Sequence, residues 1–366
     1  MIKESTNNSV LQEDYESIAK SQIPFSNFRN KNFLITGATG LVGSNLAKSL
    51  ACINRVHKLG FKIFILVRNI EKAREIYGKL LDRIDIEVLI GDITESFSKY
   101  LNPSVQIDYI FHAAAVTTSK VMIARPVDTI YTSMEGTRQM LELARIKKVE
   151  SFVFISSMEV YGEFNSKETT YVNEDMIGYI NPLAVRSNYP ESKRMSENLC
   201  VAYHKQYGVP VKIARLSQTF GAGILKDENR VFAQFAKSVI GKKDIILHTD
   251  GKSEGNYCYL SDCIRALFII LISGTNAEAY NVANELSHIS IADMAHMVAS
   301  QIAQNSIEVK FDIPESNIFG YAKHSKIKLN TKKVRDLGWV PKYNLIDSYK
   351  RMIESILIEN KEKSEI

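Results

Sequence analysis

The stretch NFLITGATGLVGSNLAKSLA, residues 32–51, decides the fold of this chain. Its first part is a short apolar strand, its last part has apolar residues at helical spacing, and Gly37, Gly40 and Gly43 lie between them. A glycine-rich turn between a strand and a helix lets the backbone bend tightly and turns the free N–H groups of the helix toward a phosphate. The stretch therefore predicts a strand, loop and helix that bind the pyrophosphate of a dinucleotide.

Short apolar runs recur after this unit and are separated by longer amphipathic stretches. The runs are 62–67, 86–91, 109–115, 151–157 and 211–217. Strands that alternate with helices predict a parallel sheet that is covered by helices on both faces. Because crossovers between parallel strands are right-handed, we predict an α/β fold with a doubly wound parallel sheet, the Rossmann fold.

The order of these segments divides the chain. We predict an N-terminal helical extension over 1–30, with a short helix outside the main fold, and a dinucleotide-binding Rossmann domain over 31–217. Residues 218–355 are predicted to form mainly a smaller α+β lobe that binds substrate, with 263–284 returning to the first domain. The last residues, 356–366, are predicted to be a frayed tail.

Composition argues against several classes of protein. The net charge of +5 is modest and dispersed, which does not suggest a nucleic-acid partner. The cysteines Cys52, Cys200, Cys258 and Cys263 are too scattered for metal-ligand pairs, so we predict free thiols and no metal site. The longest apolar run, 266–272, is far too short to span a membrane, and we identify no signal peptide. We predict a cytoplasmic protein with no membrane partner.

The ends of the second and third predicted strands carry candidate cofactor contacts. Arg68 stands where sites for NAD place an acidic residue against the ribose hydroxyls, and a guanidinium suits the 2′-phosphate of NADP. Arg68 thus favours NADP over NAD, although its stacking on adenine is compatible with either cofactor. Asp92 either accepts a hydrogen bond from the adenine amine or caps the next helix.

Further motifs along the chain resemble those of one family. They are TGATGLVG (36–43), GDIT (91–94), HAAA (112–115), SSMEVYG (156–162), YPESK (189–193), ARLSQTFGAG (214–223), YCYLSD (257–262), YNVAN (280–284) and LGWVPKYNL (337–345). From about residue 31 to 355 the chain resembles the extended short-chain dehydrogenase/reductases, in the branch of NAD(P)-dependent nucleotide-sugar epimerases and dehydratases. The resemblance implies a nucleotide-sugar substrate, and a homodimer formed by the helices at 133–147 and 190–206.

The resemblance also implies that Tyr189 and Lys193 are the catalytic pair. A spacing of four residues puts both side chains on one face of a helix. A free tyrosine has a pKa of about 10 and is a poor base at neutral pH. The lysine ammonium and the positive charge of the nicotinamide favour the phenolate. The tyrosine then takes a proton from a sugar hydroxyl while a hydride leaves for the nicotinamide, and Ser157 shares a hydrogen bond with the substrate oxygen.

Two groups of binding residues follow from the motifs and the resemblance. The predicted cofactor contacts are Gly37, Thr39, Gly40, Leu41, Val42, Gly43, Arg68, Asp92, Ile93, Ala113, Ala114, Ala115, Tyr189, Lys193 and Leu216. The predicted substrate contacts are Thr117, Thr118, Ser157, Gln218, Val231 and Phe232. Thr117 and Thr118 are equally suited to capping a helix, and Val231 and Phe232 equally fit a plain amphipathic helix.

Two departures from the family pattern bear on the reaction. The 4,6-dehydratase subgroup has an Asp-Glu pair at 158 and 159, whereas this chain has Met158 and Glu159. Glu159 is a candidate catalytic base or a solvated loop carboxylate, and the acid is missing. Many members carry an arginine at 255 that clamps the nucleotide diphosphate, but here the residue is Gly255. Either Arg230 or Lys252 takes its place, or the substrate is bound differently.

Three functions remain in competition at this point. The first is an NAD(P)-dependent epimerase- or dehydratase-type enzyme that transfers a hydride from a secondary alcohol of a nucleotide-activated sugar, for surface polysaccharide biosynthesis. The second is an NADPH-dependent reductase of an activated keto sugar, which Arg68 and Met158 favour. The third is a non-catalytic regulator that senses a dinucleotide, and the intact Ser157, Tyr189 and Lys193 argue against it.

Overall fold

The computed structural model describes residues 2–5, 7–164, 168–225, 228–314 and 326–364. The helices are α1 (Ser9–Ala19), α2 (Leu41–His57), α3 (Ile70–Tyr77), α4 (Ser119–Ala124), α5 (Pro126–Lys147), α6 (Asn188–Tyr207), α7 (Val231–Gly241), α8 (Leu260–Ser273), α9 (Ile291–Met297), α10 (Lys332–Asp336) and α11 (Leu345–Ser364). The strands are β1 (Asn32–Thr36), β2 (Lys62–Val67), β3 (Ile86–Ile90), β4 (Tyr109–His112), β5 (Ser151–Ser157), β6 (Thr170–Val172), β7 (Val211–Leu216), β8 (Gln218–Phe220), β9 (Ile245–Leu247), β10 (Glu254–Tyr259), β11 (Ala279–Val282), β12 (Asn284–Ser290), β13 (Val309–Phe311) and β14 (Ile327–Leu329). No helix in these ranges is both long enough and apolar enough to cross a membrane.

Seven parallel strands form the main sheet, in the order β11-β7-β5-β4-β1-β2-β3. The chain runs outward from β1 to β3 and then returns to place β4 on the other side of β1. This reversal is the topological switch point of a doubly wound sheet, and ligands bind in the crevice at the carboxyl ends of its strands. The predicted Rossmann fold is therefore confirmed.

Both faces of this sheet are buried by helices. Phe33 and Ile35 of β1 pack in one apolar cluster with side chains of α1, α2 and α8, whereas Leu34 packs in a second cluster with α5 and α6. Successive residues of a strand point to opposite faces, so a strand covered on both sides needs apolar residues throughout. This explains why the strands read as continuous apolar runs in the sequence.

The N-terminal helix is part of the main fold rather than outside it. Val10, Leu11, Tyr15 and Ile18 of α1 are each at most 6% exposed and belong to the same apolar cluster as α2 and α8. These residues recur at helical spacing, so α1 has one apolar face, and that face is covered by α2. The prediction of a helix here was right in kind, but its placement was wrong because the apolar face needs a partner.

The C-terminal part combines small sheets and helices. One sheet has the order β12-β10-β8, and β9 pairs with β13 and β6 with β14. Helices α7, α9 and α11 share an apolar cluster with this part of the chain. Within 263–284, the segment predicted to return to the first domain, β11 pairs with β7 at the edge of the main sheet. The boundary at 217 remains a prediction.

The predicted tail is a continuation of α11 as far as Ser364. Ile358 packs against the main apolar cluster and the side chain of Asn8 donates to Glu359, so these residues have tertiary contacts. Parts of the predicted lobe and tail, namely 226–227, 315–325 and 365–366, lie outside the described residues.

Candidate active site

The glycine loop between β1 and α2 leaves no room for side chains at two of its three glycines. Gly37 has a φ of +66°, and a Cβ there would come within 2.6 Å of the carbonyl of Ala113. A Cβ on Gly43 would come within 2.3 Å of the carbonyl oxygen of Gly37. Gly40 is the residue before α2, whose first N–H groups have no partner inside the helix. The loop thus fits the pyrophosphate of a dinucleotide, because a bare backbone and a helix N-terminus face the sheet crevice.

Side chains from outside the loop hold it in shape. The Tyr77 hydroxyl, at the end of α3, donates to the carbonyl oxygen of Ala38 at 2.7 Å. Asn45 donates to the carbonyl oxygen of Leu41 at 2.8 Å, and Tyr15 of α1 donates to Asn45 at 2.6 Å. Sequence reasoning missed Tyr15 and Tyr77 because each bonds to a residue at least 30 positions away, Tyr15 to Asn45 of α2 and Tyr77 to Ala38 of the loop.

A cavity of about 300 Å³ lies at the end of the crevice beyond β2 and β3, and Arg68, Asp92, Thr94 and Arg125 are among its lining residues. Asp92 accepts hydrogen bonds from the backbone N–H of Thr94 at 2.9 Å and from its hydroxyl at 2.7 Å. Burial opposes ionisation of Asp92, but these bonds and the charge of Arg68 hold its pKa below the usual value. The structure therefore brings Arg68 and Asp92 to the same cavity. One carboxylate oxygen of Asp92 is already bound by Thr94.

The other predicted cofactor residues lie around the same crevice. Ala113, Ala114 and Ala115 follow β4, and the N–H of Ala114 donates to the hydroxyl of Thr36 at 3.3 Å. Leu216 ends β7, where it pairs with the last residue of β5. Thr39, Leu41 and Val42 are half-buried in and after the loop. Ile93 differs, because its side chain is only 5% exposed and packs in the cluster beneath α5.

A buried histidine joins β1 to β4 beneath the glycine loop. The Nδ1 atom of His112 lies 2.8 Å from the hydroxyl of Thr36, and its Nε2 atom lies 3.2 Å from that of Thr137. Burial, with a smaller effect from Lys193, lowers the pKa of His112 to about 3. His112 is therefore neutral at physiological pH, and its two ring nitrogens are used to connect the elements around the crevice.

Tyr189 and Lys193 lie on α6, one turn apart. The helix begins at Asn188, so Pro190 falls in its first turn, where a missing N–H costs nothing. The ammonium of Lys193 donates to the carbonyl oxygen of Ile155 at 2.7 Å and lies 4.6 Å from the centroid of the Phe154 ring. Burial lowers the pKa of Lys193 to about 8. The predicted pair is thus anchored against β5.

The Tyr189 phenol lies among several polar groups. Burial raises its pKa well above the usual value, and the negative charge of Glu159 raises it further. Hydrogen bonding with Ser157 and the charges of Arg186 and Arg230 act in the opposite direction. The sequence predicted that Lys193 would make this phenol acidic, but in the chain by itself burial has the largest effect, because it disfavours the phenolate. Arg186 and Arg230 are cations whose charge favours the phenolate.

Glu159 is paired, so it is not simply a solvated loop carboxylate. An Arg186 nitrogen donates to the two Glu159 oxygens at 2.9 and 3.2 Å. Ser157 ends β5, and its hydroxyl accepts from the N–H of Glu159 at 3.2 Å, which fixes the start of the following 3₁₀ turn. Sequence reasoning missed Arg186, although its position three residues before Tyr189 was a usable signal.

A second glutamate and arginine lie between α6 and the main sheet. Glu197, one turn beyond Lys193, accepts hydrogen bonds from Arg215 at 2.7 Å and from the Ser156 hydroxyl at 2.5 Å. Tyr161 accepts a further bond from Arg215 at 3.1 Å. The charge of Glu197 counteracts burial and raises the pKa of Lys193. This buried carboxylate therefore helps to keep Lys193 protonated.

The predicted substrate residues are spread over three elements. Thr117 and Thr118 are exposed, and Thr118 precedes α4 without a capping hydrogen bond from its side chain. Gln218 is half-buried at the start of β8. At the start of α7, Val231 is half-buried but Phe232 is fully buried and stacks on a phenylalanine of β8 at 5.1 Å. The position of Phe232 favours the alternative of an amphipathic helix packed on the lobe.

The structure also distinguishes the two candidate replacements for an arginine at 255. Gly255 lies in β10, and a Cβ added there would meet nothing within 4 Å. Arg230 precedes α7, pairs with Glu228 at 2.6 Å, and is close enough to Tyr189 to lower the pKa of the phenol. Lys252 pairs with an aspartate at 3.3 Å and its side chain is 69% exposed. Of the two candidates for the role of an arginine at 255, Arg230 is therefore the one that lies near the Tyr189 phenol.

Comparison with known proteins identifies the class. Residues 33–283 match the model of the NAD dependent epimerase/dehydratase family, which covers more than half of the chain. The chain belongs to this family, as its motifs indicate. The resemblance to the extended short-chain dehydrogenase/reductases is thereby confirmed, and the family uses NAD.

Two curated relatives are similar along most of the chain. UDP-glucuronic acid decarboxylase 1 of Arabidopsis thaliana is 29% identical over 326 residues, which cover 87% of this chain and 68% of that protein. UDP-glucuronic acid decarboxylase 1 of Danio rerio is 27% identical over 325 residues, which cover 88% of this chain and 72% of that protein.

Solved structures share the fold. An epimerase of Methanothermobacter thermautotrophicus has a TM-score of 0.75 at 21% identity and covers 97% of each chain. UDP-glucuronic acid 4-epimerase of Bacillus cereus, in complex with UDP-glucuronic acid and NAD, has a TM-score of 0.72 at 22% identity and covers 90% of this chain and 99% of that one.

Proposed function

We propose that this enzyme oxidises a secondary alcohol of a nucleotide-activated sugar with NAD and returns the hydride after the sugar has been epimerised or decarboxylated. The observation that carries the proposal is the meeting of Tyr189, Ser157 and Lys193 at the carboxyl end of β5, beside the glycine loop. A UDP-linked uronic acid is the first substrate to test, because both curated relatives are named for one. We place the reaction in the cytoplasm, in the supply of sugars for surface polysaccharides.

The residues of the crevice divide the binding of the dinucleotide among them. The loop from Gly37 to Gly43 and the start of α2 hold the pyrophosphate, and Arg68 and Asp92 border the cavity for the adenosine end. Lys193 holds the nicotinamide ribose. When bound, NAD supplies the acceptor for the hydride that leaves the sugar carbon.

Tyr189 removes the hydroxyl proton while the sugar carbon is oxidised. For this the phenol has to ionise, and Arg186 and Arg230 supply positive charge against the effect of burial. The hydroxyl of Ser157 shares a hydrogen bond with the same substrate oxygen. Each group thus stabilises negative charge on an oxygen that is losing its proton.

Net dehydration is disfavoured by the residue at 158. A hydroxyl group leaves readily only when an acid protonates it, and Met158 has no proton to give. Glu159 remains available as a base for a proton on carbon. Epimerisation and decarboxylation need no acid at this position, so they are the reactions that we propose.

The proposal is tested by the products and the cofactor together. The purified protein is denatured and the released dinucleotide is identified, and the native protein is then incubated with UDP-glucuronic acid and other nucleotide sugars and followed by mass spectrometry. We expect released NAD, a changed sugar and no net accumulation of NADH. Tyr189→Phe should abolish conversion, whereas the matched control Tyr171→Phe, at a side chain 57% exposed, should not. Conversion by Tyr189→Phe at the normal rate contradicts the proposal.

A second candidate, reduction of an activated keto sugar with NADPH, has one observation in its favour. Arg68 and Arg125 both line the cavity at the adenosine end, where two guanidinium groups suit a 2′-phosphate. Such a reductase consumes NADPH in proportion to product. Two results together would replace the first proposal with this one. The enzyme would consume one NADPH for each keto sugar reduced, and it would leave nucleotide sugars without a keto group unchanged.

We also propose that the enzyme is a homodimer through α5 and α6. These helices pack side by side and leave apolar side chains exposed. They include Val127, Ile130, Tyr131 and Ile146 on α5, and Met195, Val201 and Tyr207 on α6. Burial of such a surface against a second copy removes apolar area from water. Sedimentation equilibrium should give twice the chain mass, and a monomer at all concentrations contradicts the proposal.

A further inference from the structure

Arg186 is a charged residue at the mouth of the site to which the family motifs assign no role. It lies in the 3₁₀ turn Val185–Ser187, which leads directly into α6, and Glu159 lies in the 3₁₀ turn that follows β5. Their side chains are 37% and 36% exposed, and an Arg186 nitrogen is 2.9 Å from one Glu159 oxygen. The pair therefore connects the two segments that deliver Ser157 and Tyr189 to the site.

Charged groups approach the Tyr189 phenol from three elements. Glu159 comes from the turn after β5, Arg186 from the turn before α6, and Arg230 from the start of α7. On α6 itself, Lys193 is one turn away and donates to a backbone carbonyl of β5. Of these groups, Glu159 alone opposes ionisation of the phenol, because two adjacent negative charges repel each other.

We propose that Arg186 is a positioning residue, which holds the Glu159 carboxylate beside the Tyr189 phenol and balances its negative charge there. The inference rests on the proposed function, since it matters only if Tyr189 is the base. A base on carbon and a phenolate are both anions, and a site that uses both needs a cation between them. Arg186, which donates to both oxygens of Glu159, supplies that cation.

The two members of the pair should affect the phenol in opposite directions. Removal of Arg186 leaves Glu159 uncompensated and makes the phenol harder to ionise. Removal of Glu159 leaves Arg186 uncompensated and makes the phenol easier to ionise. A structural role alone predicts no such reversal of sign, so the direction of each change decides the matter.

The test measures the fraction of Tyr189 that is ionised. Tyrosinate absorbance of the NAD-bound protein is recorded at one alkaline pH at which the fold persists. For each variant, the absorbance of the same variant carrying Tyr189→Phe is subtracted, and the difference is the Tyr189 signal. Relative to the wild type, Arg186→Gln should decrease the Tyr189 signal and Glu159→Gln should increase it, each by about fivefold or less, as expected for a partly exposed ion pair. The double variant should lie near the wild type.

Two further variants complete the design. Arg186→Lys keeps the charge and should restore most of the signal lost in Arg186→Gln. Arg74→Gln removes an exposed arginine from an ion pair with Glu71 on α3, and Arg74 is not among the charges that act on the phenol, so this variant should change nothing. Shifts of the same sign in both single variants, or no shift, overturn the proposal. Failure of the proposed function has a different signature, because no nucleotide sugar would then be converted while the Tyr189 signal remains measurable.

Discussion

Two of the glutamate–arginine pairs near α6 differ mainly in their contact with water. In the pair at the mouth, Arg186 and Glu159 are 37% and 36% exposed, and in the pair beneath, Arg215 and Glu197 are 8% and 10% exposed. The shortest nitrogen-to-oxygen distances are similar, at 2.9 and 2.7 Å. Similar contact geometry therefore occurs in two very different surroundings.

The difference in exposure determines what each pair can do. Water and salt screen the exposed pair, so it adds little to stability and can adjust the charge near the phenol at small cost. The buried pair has lost its hydration, and its charges need each other and the hydroxyls of Ser156 and Tyr161. The first pair is suited to chemistry and the second to holding Lys193 and the sheet end in place.

The largest effect is expected where the buried pair is broken. Glu197→Ala leaves the guanidinium of Arg215 buried without its partner, which should cost about 3–5 kcal/mol of the free energy of unfolding. The matched change at the mouth, Glu159→Ala, should cost less than about 1 kcal/mol. Urea denaturation of both variants measures the contrast. Equal losses would mean that burial does not distinguish the two pairs.

The pH dependence of the reaction should reveal the role of Glu197. Burial lowers the pKa of Lys193 to about 8, so turnover should fall above that pH, by about tenfold per pH unit, as the ammonium is lost. Because Glu197 raises the pKa of Lys193, Glu197→Gln should move the fall to lower pH. The measurement is kcat as a function of pH for the wild type and for Glu197→Gln. An unchanged profile in the variant contradicts the prediction.

The same shift has a consequence for stability with a definite sign. The ordinary pKa of lysine is 10.5, so between pH 8 and 10.5 the unfolded chain holds the Lys193 proton that the folded chain has released. Stability rises with pH wherever the unfolded state binds more protons. The contribution of Lys193 to the free energy of unfolding therefore increases as the pH is raised from 8 to 10.5. Lowering the pH across the same window reverses this gain.

A smaller effect is expected from a single hydroxyl of the buried network. Tyr161 donates to Asn281 at 2.6 Å and accepts from Arg215 at 3.1 Å, so Tyr161→Phe should cost about 1–2 kcal/mol of stability. Conversion of the substrate should be nearly unchanged. Tyr189→Phe should instead lose little stability and convert no substrate. Thermal unfolding and product analysis of the two variants distinguish these outcomes.

The smallest effect is expected from salt on the exposed pair. Arg186→Gln should lower the free energy of unfolding by less than about 1 kcal/mol at low ionic strength. In about 1 M salt the screening length falls to roughly 3 Å, and the difference from the wild type should vanish. Urea denaturation at the two salt concentrations is the measurement. A salt-independent loss would place Arg186 in a structural role.

Local patterns were enough to predict the sheet and the placement of Tyr189 and Lys193 on one helix. Strands β2 and β5 have the predicted bounds, because each is a short apolar run between polar turns. Tyr189 and Lys193 share a helix face because their spacing alone requires it. Helix α5 begins at Pro126, before the predicted 133, and the proline at its first position was the unused signal.

The ion pairs could not be predicted in this way. Arg186 and Glu159 are 27 residues apart in the chain, and Arg215 and Glu197 are 18 apart on different elements. Which charges meet depends on how α6 lies against β5 and β7, which no local pattern encodes. The burial of Tyr189 has the same origin, so the direction of its pKa shift emerged only from the folded chain.

The first helix has a practical consequence for work with this enzyme. Through Tyr15 it supports Asn45 on the cofactor helix, and through Asp14 it receives a hydrogen bond from Tyr259 at 2.6 Å and an ion pair from Arg351 at 2.9 Å. The family match begins only at residue 33. A version trimmed to that boundary would uncover apolar surface on α2 and leave Arg351 without Asp14, so a protein made for expression should retain residues 1–32 and carry any tag ahead of them.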